Sequence, residues 1–134
     1  MPDATVAAII IKENPNNKKL ILLCKRSHNP FKGKWCIPGG HIENGEKAYN
    51  AVIREVKEET ELDFEGEFFD VFDEILPDMM IHNIVIVYKG ISNGQLPDRT
   101  DEVDEFIWIS IDEAIRMDLA FRHNEIIHEL SRRL

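Results

Sequence analysis

Hydrophobic and polar positions change rhythm several times along the chain, and each change predicts an element. Thr5–Ile11 is rich in β-formers, Glu13-Asn14-Pro15-Asn16-Asn17 gathers turn residues, and Leu20–Lys25 returns to strand character, which predicts a hairpin. Asn29-Pro30 and Gly33 mark a loop, Trp35–Ile37 is a short apolar stretch, and Pro38-Gly39-Gly40 punctuates again. From Glu46 to about Thr60 the period becomes helical, with Tyr49, Val52, Ile53 and Val56 on one stripe at i, i+3, i+4 and i+7. Phe64–Ile75 and Ile81–Tyr88 read as strands around a turn at Pro77-Asp78, and Ser92-Asn93-Gly94 is a further turn. Phe106–Ile109 is a short strand, and Ser110 is placed to cap a helix from Ile111, with Glu113 at its third position. The tail from about Arg122 to Leu134 carries Ile126, Ile127 and Leu130 as an amphipathic helix. The order β-β-(β)-α-β-β-β-α-α predicts an α+β architecture, a mixed sheet with helices packed on it, rather than a doubly wound parallel sheet.

No linker, repeat or low-complexity tract interrupts the pattern, and 134 residues suit a single domain spanning 1–134. With 43% hydrophobic and 31% charged residues, the composition is that of an ordinary globular protein. Sixteen Lys+Arg against 25 Asp+Glu leave a net charge of −9, which argues against duplex nucleic acid or an anionic membrane as a partner. Small phosphorylated ligands stay open, because a divalent metal bridges phosphate to carboxylate. Apolar runs such as Ala7–Ile11 and Leu20–Cys24 fall far short of the ~20 residues of a membrane span. Met1-Pro2-Asp3 lacks the basic start of a secretory signal, and two cysteines, Cys24 and Cys36, suit buried thiols in a reduced compartment, so a cytoplasmic location is expected.

The chemistry concentrates in Gly39-Gly40-His41-Ile42-Glu43-Asn44-Gly45-Glu46 and the helix after it, which contains Arg54-Glu55-Val56-Lys57-Glu58-Glu59. At about 100° per residue, Glu55, Glu58 and Glu59 share one helix face. Like charges at that spacing cost roughly 0.2–0.5 kcal/mol per pair in an isolated helix. A divalent cation removes the penalty, and Mg²⁺ prefers such oxygen ligands. Ala48 and Ala51 lie upstream on the same face, where small residues leave room for a ligand. On the three glutamates alone, a solvated helix face neutralised by Lys47, Arg54 and Lys57 is the simpler reading. The glycine pair and the spacing tip the balance.

That segment resembles the signature of the Nudix hydrolase family, G-x5-E-x7-R-E-U-x-E-E-x-G-U with U a bulky aliphatic. Gly40, Glu46, Arg54, Glu55, Val56, Glu58, Glu59 and Leu62 stand at the required positions, and Glu61 replaces the remaining glycine. Phe31–Gly40 resembles the segment that leads into the signature, and Phe106-Ile107-Trp108-Ile109 the family's closing strand. The resemblance implies an α/β/α sandwich and hydrolysis of a nucleoside diphosphate linked to some group X. It also implies Mg²⁺ (or Mn²⁺) held by Glu55 and Glu59, with Glu58 a further ligand or the base, Gly39 giving a carbonyl, and Arg54 orienting a glutamate through Glu46 or Glu55. The replaced glycine would sit just past the helix end in a left-handed conformation, so Glu61 is expected to carry strain there.

Within the family the chain is most similar to small MutT-like pyrophosphohydrolases, which implies a (d)NTP substrate cleaved to NMP and pyrophosphate. By that resemblance Arg26 lies near the nucleotide, Leu76 touches the base, Asn124 reads the purine edge and Glu102 is an additional metal ligand. Pro77 also suits an ADP-ribose pyrophosphatase, where a proline often stands at this distance from the signature, although Asp78 beside it explains a turn. Nucleoside diphosphate sugars are therefore the alternative substrate, and a nucleotide-binding module without turnover is the alternative class. A small-molecule partner and a monomer or homodimer are expected, and the histidines form no ligand set.

Overall fold

The computed structural model describes residues 1–134. Its elements are β1 (Asp3–Glu13), β2 (Lys19–Arg26), β3 (Trp35–Cys36), β4 (Gly39–His41), α1 (Ala48–Thr60), β5 (Asp63–Leu76), β6 (Ile81–Asn93), β7 (Val103–Ser110), α2 (Ile111–Ile115) and α3 (His123–Arg133), with one 3₁₀ turn at Pro77–Met79. The architecture is α+β, as the order of elements predicts. β1 is central. It runs parallel to β6 on one side, and on the other pairs antiparallel first with β4 and then, after splaying, with β2. β5 extends this sheet beyond β6, whereas β2 carries β3 and β7 as its own antiparallel neighbours.

Both faces of β1 are covered, which is why Val6–Ile10 is apolar without alternation. Val6, Ala8 and Ile10 pack with Ala51, Val52 and Val56 of α1, while Ala7 and Ile9 point the opposite way, toward Ile126, Ile127 and Leu130 of α3. The mixed sheet is thus enclosed between α1 and the α2–α3 pair. No helix is long and apolar enough to cross a membrane.

Three local outcomes differ from the sequence pattern. Gly39 and Gly40, read with Pro38 as punctuation, form with His41 a strand paired with Thr5–Ala7. A side chain at Gly39 would place its Cβ 2.3 Å from the Val6 carbonyl oxygen, so only glycine lets this strand come so close. β6 runs on through Ser92 and Asn93, pairing with β5 as far as Asp63, and turns only at Gly94. Ala48 and Ala51 do not clear space for a ligand; they pack into the core beneath α1, Ala51 wholly buried. Cys24 and Cys36 are opposed across β2 and β3 as buried free thiols, and burial pushes the Cys36 thiol up to about 12, which makes it unreactive.

Candidate active site

α1 has no side-chain cap at its start; its position is fixed instead by Arg54. The guanidinium makes a two-pronged bond to Glu46, Nε to Oε2 at 2.8 Å and Nη2 to Oε1 at 2.9 Å. The same side chain donates to the His41 carbonyl at 3.1 Å and to Glu55 Oε1 at 3.0 Å, with Glu58 at 3.3 Å. Glu46 in turn accepts the Glu43 backbone N–H at 3.0 Å. These donors hold the Glu46 carboxyl down at about 2, so the pair remains charged at any ordinary pH. The arrangement clamps α1 to β4 and its following loop, and it orients Glu55.

At the exit of α1, the Glu61 backbone is left-handed (φ 62°) and its N–H bonds to the Lys57 carbonyl at 3.0 Å. Thr60 ties off the turn by donating to the Val56 carbonyl and accepting the Leu62 N–H. Thr100 Oγ1 donates to the Glu59 carbonyl at 2.9 Å, and Ser27 bonds to the carbonyls of Asp101 and Glu102. The loop before β7 is thereby anchored to α1 and to the end of β2, and this brings Glu102 to the helix.

One ligand oxygen each from Glu55, Glu59 and Glu102 lies within 4.8 Å of the others. Glu59 is 9% exposed and takes the Gly39 N–H at 3.2 Å. Burial, then the Glu55 and Glu102 charges, push its carboxyl well up; burial also raises Glu55, against the opposing pull of Arg54. Converging, desolvated carboxylates match the all-oxygen donor set of a hard divalent cation. Gly40 belongs to this geometry, because a Cβ there would sit 2.4 Å from the Glu55 carboxyl carbon.

The carboxylates open into a cavity of about 780 Å³. Its lining crosses the sheet from β4 over β1 and β6 to Glu74 on β5, and Arg26, Phe121 and His123 close it from the side of β2 and α3. A NUDIX domain model matches residues 2–130. The chain belongs to the Nudix family. ADP-ribose pyrophosphatase of Methanocaldococcus jannaschii is 36% identical over 133 residues, covering 98% of this chain and 74% of that protein. The NUDIX domain of Shewanella oneidensis NrtR complexed with ADP ribose superposes with a TM-score of 0.85 at 24% identity, covering 99% of this chain and 88% of that one. The MutT NUDIX hydrolase of Burkholderia pseudomallei gives a TM-score of 0.83 at 25% identity over 96% of this chain and 97% of its own. Three other curated relatives are longer, the chain spanning 15%, 19% and 47% of their length.

Of the residues expected from the Nudix resemblance, the structure gathers Gly39, Glu55, Glu59 and Glu102 at one end of the cavity, with Arg54 beside them. Glu46 stands behind Arg54, and Glu58 stays half-exposed on the Arg54 side, outside the trio. Arg26 lines the cavity, its Nε donating to the Pro30 carbonyl at 2.7 Å and its guanidinium 4.9 Å from the Phe121 ring centre.

Asn124 and Leu76 are placed differently from the expectation. The Asn124 amide accepts the Leu119 N–H at 3.1 Å and donates to the carbonyls of Met117 at 2.6 Å and Ile115 at 3.5 Å, so it braces the α2–α3 connection rather than facing the cavity. Leu76 ends β5 outside the lining, whereas Met80, Ile81 and His82 just beyond it are inside.

Sequence reasoning missed Glu74, Asn83 and His123, all lining residues that are nearly buried. The signal was parity. Glu74 follows Phe72, and Asn83 precedes Val85 and Val87, at inward-facing strand positions where a polar residue needs a reason. His123 Nδ1 accepts the Ile37 N–H at 3.1 Å, and burial and then Arg26 hold its imidazole down at about 3, so the ring is neutral with its proton on Nε2.

Proposed function

We propose that this Nudix hydrolase cleaves the diphosphate of a nucleoside diphosphate sugar, ADP-ribose above all, into two monophosphates. The observation that carries the reading is the carboxylate trio Glu55, Glu59 and Glu102 at one end of a cavity whose far end is lined by further polar residues. The 36% identity to an ADP-ribose pyrophosphatase over nearly the whole chain supports the substrate class. A (d)NTP is the second reading, favoured by the likeness to the Burkholderia MutT hydrolase. It is placed second because, of Arg26, Leu76 and Asn124, only Arg26 lines the cavity.

Glu55, Glu59 and Glu102 would hold Mg²⁺ or Mn²⁺, which when bound neutralises the diphosphate and polarises the attacked phosphorus. Arg54 keeps Glu55 aimed and Glu46 keeps Arg54 aimed. A carboxylate accepts the proton of the attacking water as the water oxygen bonds to phosphorus and the bridging P–O bond breaks, and Glu58, solvent-facing beside the trio, is the carboxylate of α1 that the metal would leave free. The leaving phosphate takes the bridging oxygen. A hydrolysis panel of ADP-ribose, other nucleoside diphosphate sugars and the (d)NTPs with Mg²⁺ tests the reading. AMP with ribose 5-phosphate as the fastest-formed products is the expected result. Faster release of pyrophosphate from a (d)NTP would install the second reading, and no turnover of any member would make the protein a binding module.

A further inference from the structure

Proton transfer and metal binding make no use of three nearly buried polar residues of the cavity, Glu74, Asn83 and His123, exposed by 4%, 8% and 7%. Glu74 and Asn83 are directly opposed across β5 and β6, and Asn83 Nδ2 donates to Glu74 Oε1 at 2.7 Å. That bond fixes the amide's orientation and leaves Asn83 Oδ1 without a protein partner. His123 Nε2 is in the same position, its Nδ1 being held by Ile37. Since no fully buried side-chain nitrogen or oxygen lacks a partner, both atoms are open to the cavity they line. A fixed amide acceptor and a fixed imidazole donor therefore face the same space, which Glu74 also lines while taking the Asn83 amide and the Arg122 backbone N–H. A pair serving only to join two strands would need no such opening, and β5 and β6 already pair without a break from Asp70 to Leu76, on both sides of Glu74.

The position is telling as well. β4, which carries the metal-side glycines, is followed across the sheet by β1, β6 and β5. Three strand spacings of about 4.8 Å put Glu74 roughly 14 Å from the β4 edge, the reach of a nucleotide from its phosphate to its far end. Resting on the reading above, we propose that Glu74, Asn83 and His123 determine substrate specificity by binding the end of the nucleotide remote from the cleaved bond. They bind a group that presents adjacent hydrogen-bond donors beside an acceptor. Two parts of such a substrate have that chemistry: the vicinal hydroxyls of a furanose, and the N–H-bearing edge of a nucleobase.

The test uses Glu74→Gln, which keeps the shape and an acceptor for Asn83, and Asn83→Asp, each with its melting temperature. Three ligands separate the sources: ADP-ribose, GDP-ribose (altered base edge) and ADP linked to 2-deoxyribose (one hydroxyl removed). In wild-type protein, kcat/KM is expected to favour ADP-ribose over one of the other two. In Glu74→Gln that ratio should fall at least tenfold, and the ligand whose ratio collapses names the group being read. Titration of ADP-ribose into metal-free protein reads the same contacts without turnover, and its Kd should rise at least tenfold in Glu74→Gln. A wild-type enzyme that turns over none of the panel yet shows this Kd change would overturn the proposed function and keep the inference. Ratios and Kd values within threefold of wild type in both variants, whatever their melting temperatures, would reduce Glu74–Asn83 to a strand-joining pair and overturn it.

Discussion

Glu61 is where a single residue departs from the family signature, and the backbone there keeps the conformation that glycine would favour, φ 62° and ψ 10°. A non-glycine residue in that region is strained by about 1 kcal/mol. Part of the gain on its removal is offset because glycine loses more freedom on folding. Glu61→Gly is expected to raise the melting temperature by a few degrees and to leave kcat/KM unchanged, since the side chain is exposed and outside the cavity; a fall in melting temperature would show that strain is not what the glutamate contributes. His123 makes a prediction of opposite sign. Its folded value of about 3 lies below the ordinary 6.5, so between those limits the unfolded chain binds the extra proton and stability is lost as pH falls. The loss across the window is on the order of 5 kcal/mol. His123→Gln keeps an acceptor for the Ile37 N–H but cannot titrate, and denaturant titrations between pH 6.5 and 4 should show a shallower decline for it than for wild type.

At the scale of the element, α1 is positioned through a side chain and not through a helix cap. Arg54→Lys keeps the charge but removes the planar fork that holds Glu46, His41 and Glu55 together. Turnover should fall by one to two orders of magnitude and the melting temperature by a few degrees, since the clamp on α1 is loosened, read by kcat and thermal melts in parallel. The α2–α3 connection depends on one amide in the same way. Asn124→Ala removes three backbone contacts and leaves the Leu119 N–H and two carbonyls to find other partners. It should cost about 1–3 kcal/mol of stability while lowering kcat/KM, if at all, equally for every nucleotide. Loss confined to one base would return Asn124 to the role the family resemblance implies for it.

For the molecule as a whole, a cation held as proposed by the carboxylate trio would couple metal binding to folding. Glu55 and Glu59 are desolvated and repelled by each other and by Glu102, so a cation that binds only the folded form stabilises it. At a concentration 100-fold above its Kd the gain is about 2.7 kcal/mol, a rise of several degrees for a chain of this size. Thermal melts with Mg²⁺ and with chelator should differ by that amount, and the difference should vanish in Glu55→Gln/Glu59→Gln together with turnover. An unchanged Mg²⁺ response in that double variant would place the cation elsewhere.

Local pattern was enough for much of this protein. The helical stripe Tyr49–Val56, the Ser110 cap, whose Oγ takes the Glu113 N–H at 3.2 Å, and the hairpin strands are set by short-range periodicity and turn chemistry, which a linear reading captures. The signature from Gly40 to Leu62 likewise singled out Arg54, Glu55 and Glu59 as candidates, because helix geometry alone puts the carboxylates on one face. Tertiary structure decided the rest. Glu102 joins Glu55 and Glu59 through a loop tied down by Thr100 and Ser27, bonds between residues far apart in the chain. Gly39–His41 became a strand because Val6 and Ala7 lay beside it. The Asn124 amide was drawn to the nearby backbone of Leu119 and Met117, and Glu74, Asn83 and His123 met only when β5, β6 and α3 came together around one cavity. A residue's type limits which hydrogen bonds it can make, but the neighbours that fill them are set by packing between distant segments, and no short-range pattern encodes that.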